Sequence, residues 1–307
     1  MSNVQSPRSG KPTIGITLGD VAGIGPEVVR KAMASGKLPV GFDYEVILAS
    51  ETPRVRPGRL SLSAARFALA SLQVGIDGIR AGRYQALVTG PVNKTGLARI
   101  GFRHPGQTEW LATKTGANQF AMMLACDRLR VSLVSTHLSL ARAVRAVRGK
   151  KILEVAHLTR EFLVRIGIRR PRIAVAGLNP HAGENGVIGR EERRIILPAV
   201  RTMQRRGWRV SGPLPPDTVF YQAAHGAYDA VVCMYHDQGL IPLKLLAFDS
   251  GVNVTLGLPF PRTSPDHGTA YDIAGKNVAN PGSMIEAIKL ACVLAKKEVI
   301  LSGKRKK

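Results

Sequence analysis

Cysteine is scarce in this chain: Cys126, Cys233 and Cys292 stand far apart with no Cys-x-x-Cys pair. That argues against a disulfide framework and against a structural zinc knuckle, and it fits a reducing cytoplasm. Aromatic residues are few as well, 5% of 307. The basic stretches at 54–83, 142–151, 165–172 and 190–209 are not interleaved with aromatics in the manner of a single-strand-binding platform. Acidic residues are outnumbered, 21 against 44 Lys and Arg, leaving a formal net charge of +23. Without a recognisable nucleic-acid module, that charge reads as a solvated basic surface or a general attraction for anionic substrates, with a basic nucleic-acid-binding protein as the less favoured alternative. No apolar run has membrane-span length, and the opening Met-Ser-Asn-Val-Gln-Ser-Pro-Arg has no signal-peptide core. A cytoplasmic protein away from membranes is expected. The charge run 302–307 is expected to lack order and is given no function.

What is present is a 45% apolar content arranged in a repeating alternation. Strand-like runs at 13–18, 44–49 and 86–89 alternate with helical patterns starting near 26 and 63, a βαβαβ rhythm that predicts a parallel α/β sheet. The pattern continues with helices near 149–166 and 190–206 and closes with a helix at 284–297. The expected organisation is two subdomains. Residues 1–95 and 233–307 form one, and 96–232 are inserted as the other, with 211–216 (Ser-Gly-Pro-Leu-Pro-Pro) as punctuation.

Three histidines stand in compact segments punctuated by Gly, Pro and Asn: His137 in Ser-Thr-His-Leu, His181 in Gly-Leu-Asn-Pro-His-Ala-Gly-Glu, and His236 in Met-Tyr-His-Asp-Gln-Gly. Each follows an apolar run that reads as a buried parallel strand, and open α/β sheets place ligands at the carboxyl ends of such strands. Imidazole is the commonest ligand for borderline metals, and three of them leave a coordination position for substrate oxygens. His137, His181 and His236 are therefore the candidate metal ligands. The segment Gly19-Asp-Val-Ala-Gly-Ile-Gly-Pro-Glu27 is neither a Walker loop nor a dinucleotide fingerprint; an anion cradle and a turn with structural glycines both remain open for it. The same pair of readings applies to Thr89-Gly-Pro-Val-Asn-Lys94.

The run from Asp266 to Pro281 combines Gly, His, Asp and Asn ahead of the last helix. It resembles the adenosine-binding loop of the isopropylmalate and isocitrate dehydrogenases. The three histidine segments, together with Gly19 to Glu27, Thr89 to Lys94 and Gly251-Val-Asn-Val-Thr-Leu-Gly-Leu-Pro-Phe260, are similar to the 4-hydroxythreonine-4-phosphate dehydrogenase family of the same broad fold. The resemblance covers nearly the whole chain. It implies an isopropylmalate dehydrogenase-like fold of two α/β/α subdomains with the active-site cleft between them. The subdomain 1–95 with 233–307 would bind NAD, and 96–232 would carry metal, substrate and dimer contacts. Substrate contacts are implied at Gln107, Thr108, Lys244, Asn253 and Arg262, and cofactor contacts at His267, Gly268, Asp272 and Asn280. A carboxylate at Asp272 favours NAD over NADP by charge repulsion, with NADP the alternative.

The implied chemistry is oxidation of 4-phosphooxy-L-threonine to a β-keto acid that loses carbon dioxide, with one divalent metal (Zn, Co or Mg) per site in a homodimer whose site draws on both subunits. Lys244 and Arg262, with Lys94 a further candidate, would meet phosphate and carboxylate. Asp237 is the candidate general base or orienting carboxylate, a plain turn carboxylate being the alternative. Two departures stand out. Gln107 occupies the place where the family usually has His, and the segment 52–58 is shorter than usual. Gln107 keeps a second reading open, a paralogous dehydrogenase for a phosphorylated threonate or erythronate or a dihydrodiol carboxylate. Phosphate acyltransferases share the broad fold, but have no need of three metal-binding histidines.

Overall fold

The computed structural model describes residues 10–303, with side chains through Lys296. The first residues of the chain and most of the basic tail, 304–307, therefore lie outside the described residues. In chain order the elements begin with β1 (Thr13–Thr17), α1 (Gly25–Met33), β2 (Asp43–Ile47), α2 (Leu62–Arg80), β3 (Ala86–Thr89), α3 (Lys94–Arg99) and α4 (Gln107–Thr115). They continue with β4 (Ala121–Ala125), β5 (Arg130–Leu133), α5 (Leu140–Ala146), α6 (Gly149–Arg165), β6 (Arg172–Ala176), α7 (Leu197–Arg205) and β7 (Arg209–Leu214). The last are α8 (Pro216–Ala224), β8 (Ala230–Cys233), α9 (His236–Ala247), β9 (Val252–Leu256), β10 (Arg262–Pro265) and α10 (Gly282–Gly303). Among the described residues no helix is long and apolar enough to cross a membrane.

The chain divides into two compact units, one running up to Asn118 and resuming at Leu258, the other Gln119–Gly257. Both divisions fall further along the chain than the expected 95/96 and 232/233. The reason is packing. Helix α3 packs on α2, while α9 lies on β5 and β8, and β9 pairs with β4, so none of these separates from its neighbours at the expected points. His236, Asp237, Lys244 and Asn253 consequently belong to the second unit.

In the first unit the strands run β2-β1-β3-β10, all parallel. β1 and β3 are buried along their whole length, the uninterrupted apolar character expected of a parallel sheet covered by helices. Helix α2 packs on β1 and β3, and α10 on β3 and β10. Ser61 caps α2 by accepting from the Ala64 amide at 3.3 Å, and Asn93 caps α3 by accepting from Gly96 at 2.8 Å.

The second unit orders its strands β9-β4-β5-β8-β6-β7. β4 is antiparallel to both neighbours, and from β5 to β7 the strands are parallel. Helix α9 sends Leu240 and Leu243 into the core with Leu133, Val131 and Cys233. It approaches the sheet closely at Gly239, where a Cβ would come within 3.0 Å of the Cys233 sulfur. The expected helix at 190–206 is present at 191–205, with a π turn at Glu192–Ile196 leading into α7.

The Gly19–Glu27 segment resolves in favour of a structural turn. Asp20 N donates to Pro91 O at 2.8 Å and Ile24 N to Thr269 O at 2.9 Å, while Ala22 N is taken by Asp20 Oδ1 at 2.9 Å. Gly19 has φ +70°, and a Cβ there would collide with the Pro91 carbonyl. Gly19→Ala is therefore expected to destabilise the protein by roughly 2–4 kcal/mol through left-handed strain and the clash. A urea midpoint equal to the parent's contradicts this placement.

Candidate functional site

The three histidine segments leave three neighbouring parallel strands. β5 ends at Leu133, β8 at Cys233 and β6 at Ala176, and β8 lies between the other two. Parallel neighbours end on the same edge, so the sheet itself gathers the three segments. Side chains then fix the ends to one another. Ser135 Oγ donates to Met234 O at 2.9 Å, tying the β5 end to the β8 end. The buried Gln238 accepts from Met234 N and donates to Gly177 O, both at 2.7 Å, tying the β8 end to the β6 end.

His137 and His236 come together, with ring centroids 5.6 Å apart and planes tilted by 44°. They line a cavity of about 390 Å3 with Thr136, Leu138, Tyr235 and Asp237 among its walls. Asp237 Oδ1 lies 2.7 Å from His236 Nδ1. Held in this way, the ring donates from Nδ1 and keeps Nε2 as a lone-pair donor for a metal. Two imidazoles with one far nitrogen fixed by a carboxylate suit zinc or cobalt well, and oxygen-preferring magnesium less. His181 does not join the pair within one chain: among the described residues no group of three His, Cys, Asp or Glu gathers closely enough to hold a metal ion.

His181 instead sits on an unusual backbone. Residues His181, Ala182, Gly183, Glu184 and Asn185 all have φ between 43° and 81°, a left-handed turn five residues long. Four of them carry side chains, and left-handed helical backbone costs such residues roughly 1–2 kcal/mol each. The buried Glu192 holds the turn at its base, with Oε1 accepting from Leu178 N at 2.8 Å and from Asn179 N at 2.7 Å. Sequence reasoning missed Glu192 and Gln238, because neither is part of a histidine's own segment in a way that marks it as a ligand.

In the first unit the notable group is Arg262, 3% exposed at the start of β10. Its Nη2 and Nε donate to Thr89 Oγ1 at 2.6 and 3.1 Å, and its Nη1 to Thr108 Oγ1 at 3.4 Å. Gln107 Oε1 lies 3.5 Å from Nη2, while its Nε2 donates to Gly90 O at 3.0 Å. Burial pulls the guanidinium down to about 10, against the opposing charge of Glu109. It remains a cation at neutral pH, and a buried cation among hydroxyls and an amide can receive a carboxylate or phosphate. Thr108, Gln107 and Arg262 are thus brought together, and Thr89 joins them although sequence reasoning gave it no separate role. Lys94 is exposed at the first position of α3.

The expected cofactor loop is clamped to the Gly19–Glu27 segment. Tyr271 donates to Asp20 Oδ2 at 2.7 Å, and burial followed by this neighbouring carboxylate raises the phenol above its usual range. Glu27 Oε1 accepts from Ala279 N at 2.7 Å and from Lys31 at 2.8 Å. Asp272 and Gly268 are exposed, with open space around the Gly268 Cα. His267 Nδ1 lies 3.0 Å from Gly268 O, and Asn280 Oδ1 accepts from Gly282 N at the start of α10. In the second unit, Asn253 Oδ1 is buried and accepts no hydrogen bond among the described residues, as expected of an acceptor reserved for a ligand. Lys244 Nζ lies 5.5 Å from the centre of the Phe248 ring.

Comparison with known proteins agrees with this architecture. The sequence model of the family "Pyridoxal phosphate biosynthetic protein PdxA" matches residues 23–291. A 4-hydroxythreonine-4-phosphate dehydrogenase of Bradyrhizobium diazoefficiens is 47% identical, over 92% of this chain and 84% of that protein. A D-threonate 4-phosphate dehydrogenase of Salmonella typhimurium is 42% identical, over 92% of this chain and 99% of that one. The crystal structure of a 4-hydroxythreonine-4-phosphate dehydrogenase from Klebsiella pneumoniae superposes with a TM-score of 0.80 at 39% identity, covering 94% of this chain and 99% of that one. On a match that spans most of its length and on relatives this similar, the chain belongs to the pyridoxal phosphate biosynthetic protein PdxA family.

Proposed function

We propose that the protein is an NAD-dependent, divalent-metal-dependent dehydrogenase of 4-phosphooxy-L-threonine. The reaction moves a hydride from the carbinol carbon to the nicotinamide and releases the hydroxyl proton. The resulting β-keto acid loses carbon dioxide to give 3-amino-2-oxopropyl phosphate, a step of pyridoxal 5'-phosphate biosynthesis. The observation that carries this reading is the His137–His236 pair at the ends of adjacent parallel strands. A divalent cation bound there supplies Lewis acidity toward a substrate hydroxyl.

The chain's own residues supply the remainder. Arg262, with Thr89, Thr108 and Gln107 around it, binds an anionic group of the substrate by fixed positive charge. Asn253 offers its unsatisfied carbonyl oxygen to a substrate donor, and Lys244 offers a second cation. Asp237 acts by orientation, since its carboxylate holds His236 Nδ1. Asp272 and Gly268, on the clamped loop with His267 and Asn280, take the adenosine ribose of NAD, with NADP disfavoured by the Asp272 charge.

A homodimer completes the metal site in this reading. Helix α9 starts at His236, and beyond its buried side it exposes Ile241, Leu245 and Phe248 at 67%, 86% and 74%. An apolar face of this kind is expensive to leave in water, and it adjoins the paired imidazoles. A second copy covering it would bring its own His181 segment as the third imidazole, which one chain alone does not provide.

Gln107 favours a second reading, in which the substrate is D-threonate 4-phosphate. The two acids share phosphate and carbinol but differ in an amino or hydroxyl group at one carbon. An amide in place of an imidazole changes what hydrogen bonds the protein offers near Arg262.

Purified protein incubated with NAD and 4-phosphooxy-L-threonine is expected to produce NADH, and to stop doing so when a chelator removes the metal. Faster turnover of D-threonate 4-phosphate selects the second reading, and no NADH from either acid with any divalent metal rejects both. Arg262→Met is expected to lower kcat/KM by a factor on the order of 10^2 or more, as loss of a charge-assisted contact predicts. Its melting temperature without ligand should be preserved or raised, because an apolar side chain of similar length relieves the desolvated charge. Unchanged kcat/KM contradicts the anion-receptor role. Leu245→Glu should shift the protein to monomer in analytical ultracentrifugation and weaken Zn2+ binding with it; a dimer of parental stability contradicts the α9 interface.

A further inference from the structure

We propose that Glu192 is the positioning residue for His181, a buried carboxylate that keeps the left-handed turn formed and thereby sets where that imidazole is presented. The proposal rests on the reading of His181 as a metal ligand and extends it to a residue that touches neither metal nor substrate.

Five successive residues, 181–185, hold positive φ, and only Gly183 among them does so without steric penalty. A segment of this kind reverts to right-handed or extended backbone unless the surroundings over-determine it. Beyond the bonds of the 3-10 turn itself, Ala182 N donates to Asn179 O, Val187 N to Glu184 O and Ile188 N to Gly183 O, each at 3.1 Å. Short-range backbone bonds of this kind close a turn of either hand, so they do not by themselves select the left-handed form. External restraint is needed: Arg193 Nη1 donates to Asn185 O at 3.4 Å from an exposed position, and the buried polar restraint is concentrated at one point.

That point is Glu192, whose residue is 3% exposed. One carboxylate oxygen accepts from the Leu178 and Asn179 amides, and the other accepts from Asn179 Nδ2 at 2.9 Å. Glu191 takes part as well, with Oε2 accepting from the same Asn179 amide at 2.9 Å and from Arg190 N at 3.0 Å. The acceptor pair thus fixes the two residues that enter the turn, and the orientation of the Asn179 side chain. It also fills the space beside the turn: a Cβ on Gly183 would come within 2.6 Å of Glu192 Oε2. The π turn at Glu192–Ile196 is the local irregularity in which this carboxylate is carried, and such bulges recur at functional sites.

Glutamine at this position cannot reproduce the arrangement. If its oxygen keeps the two backbone donors, its amide nitrogen faces Asn179 Nδ2, donor against donor. Should Asn179 flip its amide in response, its oxygen would then face Glu191 Oε2, acceptor against acceptor.

The test measures Zn2+ affinity by competition with a chromophoric chelator, together with hydrogen exchange of the metal-free protein over residues 178–188. The proteins are the parent, Glu192→Gln, Glu192→Gln with Ala182→Gly, Asn179→Ala, His181→Ala and His137→Ala. Glu192→Gln is expected to weaken Zn2+ binding about 10-fold or more, within the range for partners that orient a ligand. It should also speed exchange at 178–188 while leaving exchange in β5 and β8 at the parental rate. Adding Ala182→Gly should recover part of the affinity, since glycine adopts the left-handed conformation freely; a general packing role for Glu192 predicts no such rescue. Asn179→Ala, which leaves the buried carboxylate its two backbone donors, should give a smaller loss and serves if Glu192→Gln fails to fold.

Parental Zn2+ affinity and exchange in Glu192→Gln, or in Asn179→Ala where it serves instead, overturn the proposal. So does exchange that rises equally throughout the second unit. If His181→Ala and His137→Ala both bind Zn2+ like the parent, the metal reading fails, and the exchange data alone then decide whether Glu192 holds the turn.

Discussion

The site depends on one constraint of β structure: β5, β8 and β6 are parallel neighbours, so the chain must leave all three at the same edge. Segments separated by about a hundred residues of sequence are delivered together before any side chain is chosen. What the side chains add is precision. Ser135 and Gln238 bond the strand ends to one another, and Asp237 fixes the far nitrogen of His236. The antiparallel β4 lies on the far side of β5 from β8 and leaves this parallel set intact.

Each unit holds a buried charged side chain whose desolvation works against stability. In the first, Arg262 is desolvated among hydroxyl and amide oxygens, at a cost of several kcal/mol that an anion would offset. In the second, Glu192 is buried for the sake of two amides and one side chain at the base of the His181 turn. These two places are where the sequence departs from what stability alone would choose.

Much of the fold was legible because its strands are short apolar runs bounded by Gly, Pro and Asn, as at Ala86–Thr89, and its helices carry clear stripes, as at Gly149–Arg165. The unit divisions were not, because they depend on which sheet a helix packs against, and α3 and α9 show no change of composition at 95/96 or 232/233. The histidines at strand ends were legible, since each follows a buried run directly. The left-handed turn was not: His181, Ala182 and Glu184 are poor residues for positive φ, and the restraint comes from Glu192, which follows the turn in sequence. The Gly19–Glu27 glycines looked equally suited to a phosphate and to a turn. What separates the two readings is long-range, namely the hydrogen bonds to Pro91 and Thr269 that take the Asp20 and Ile24 amides. Gln107 and Thr108 were named through the family pattern, and their gathering on Arg262 gives that pattern a physical reason.

The most direct measurement of the central claim is anomalous diffraction at the zinc edge from crystals grown with Zn2+. The account predicts one strong peak per site bonded to His137 and His236 through Nε2, at about 2.0–2.1 Å as for zinc on imidazole. A peak that touches only one of these rings, or that sits on other residues altogether, contradicts it.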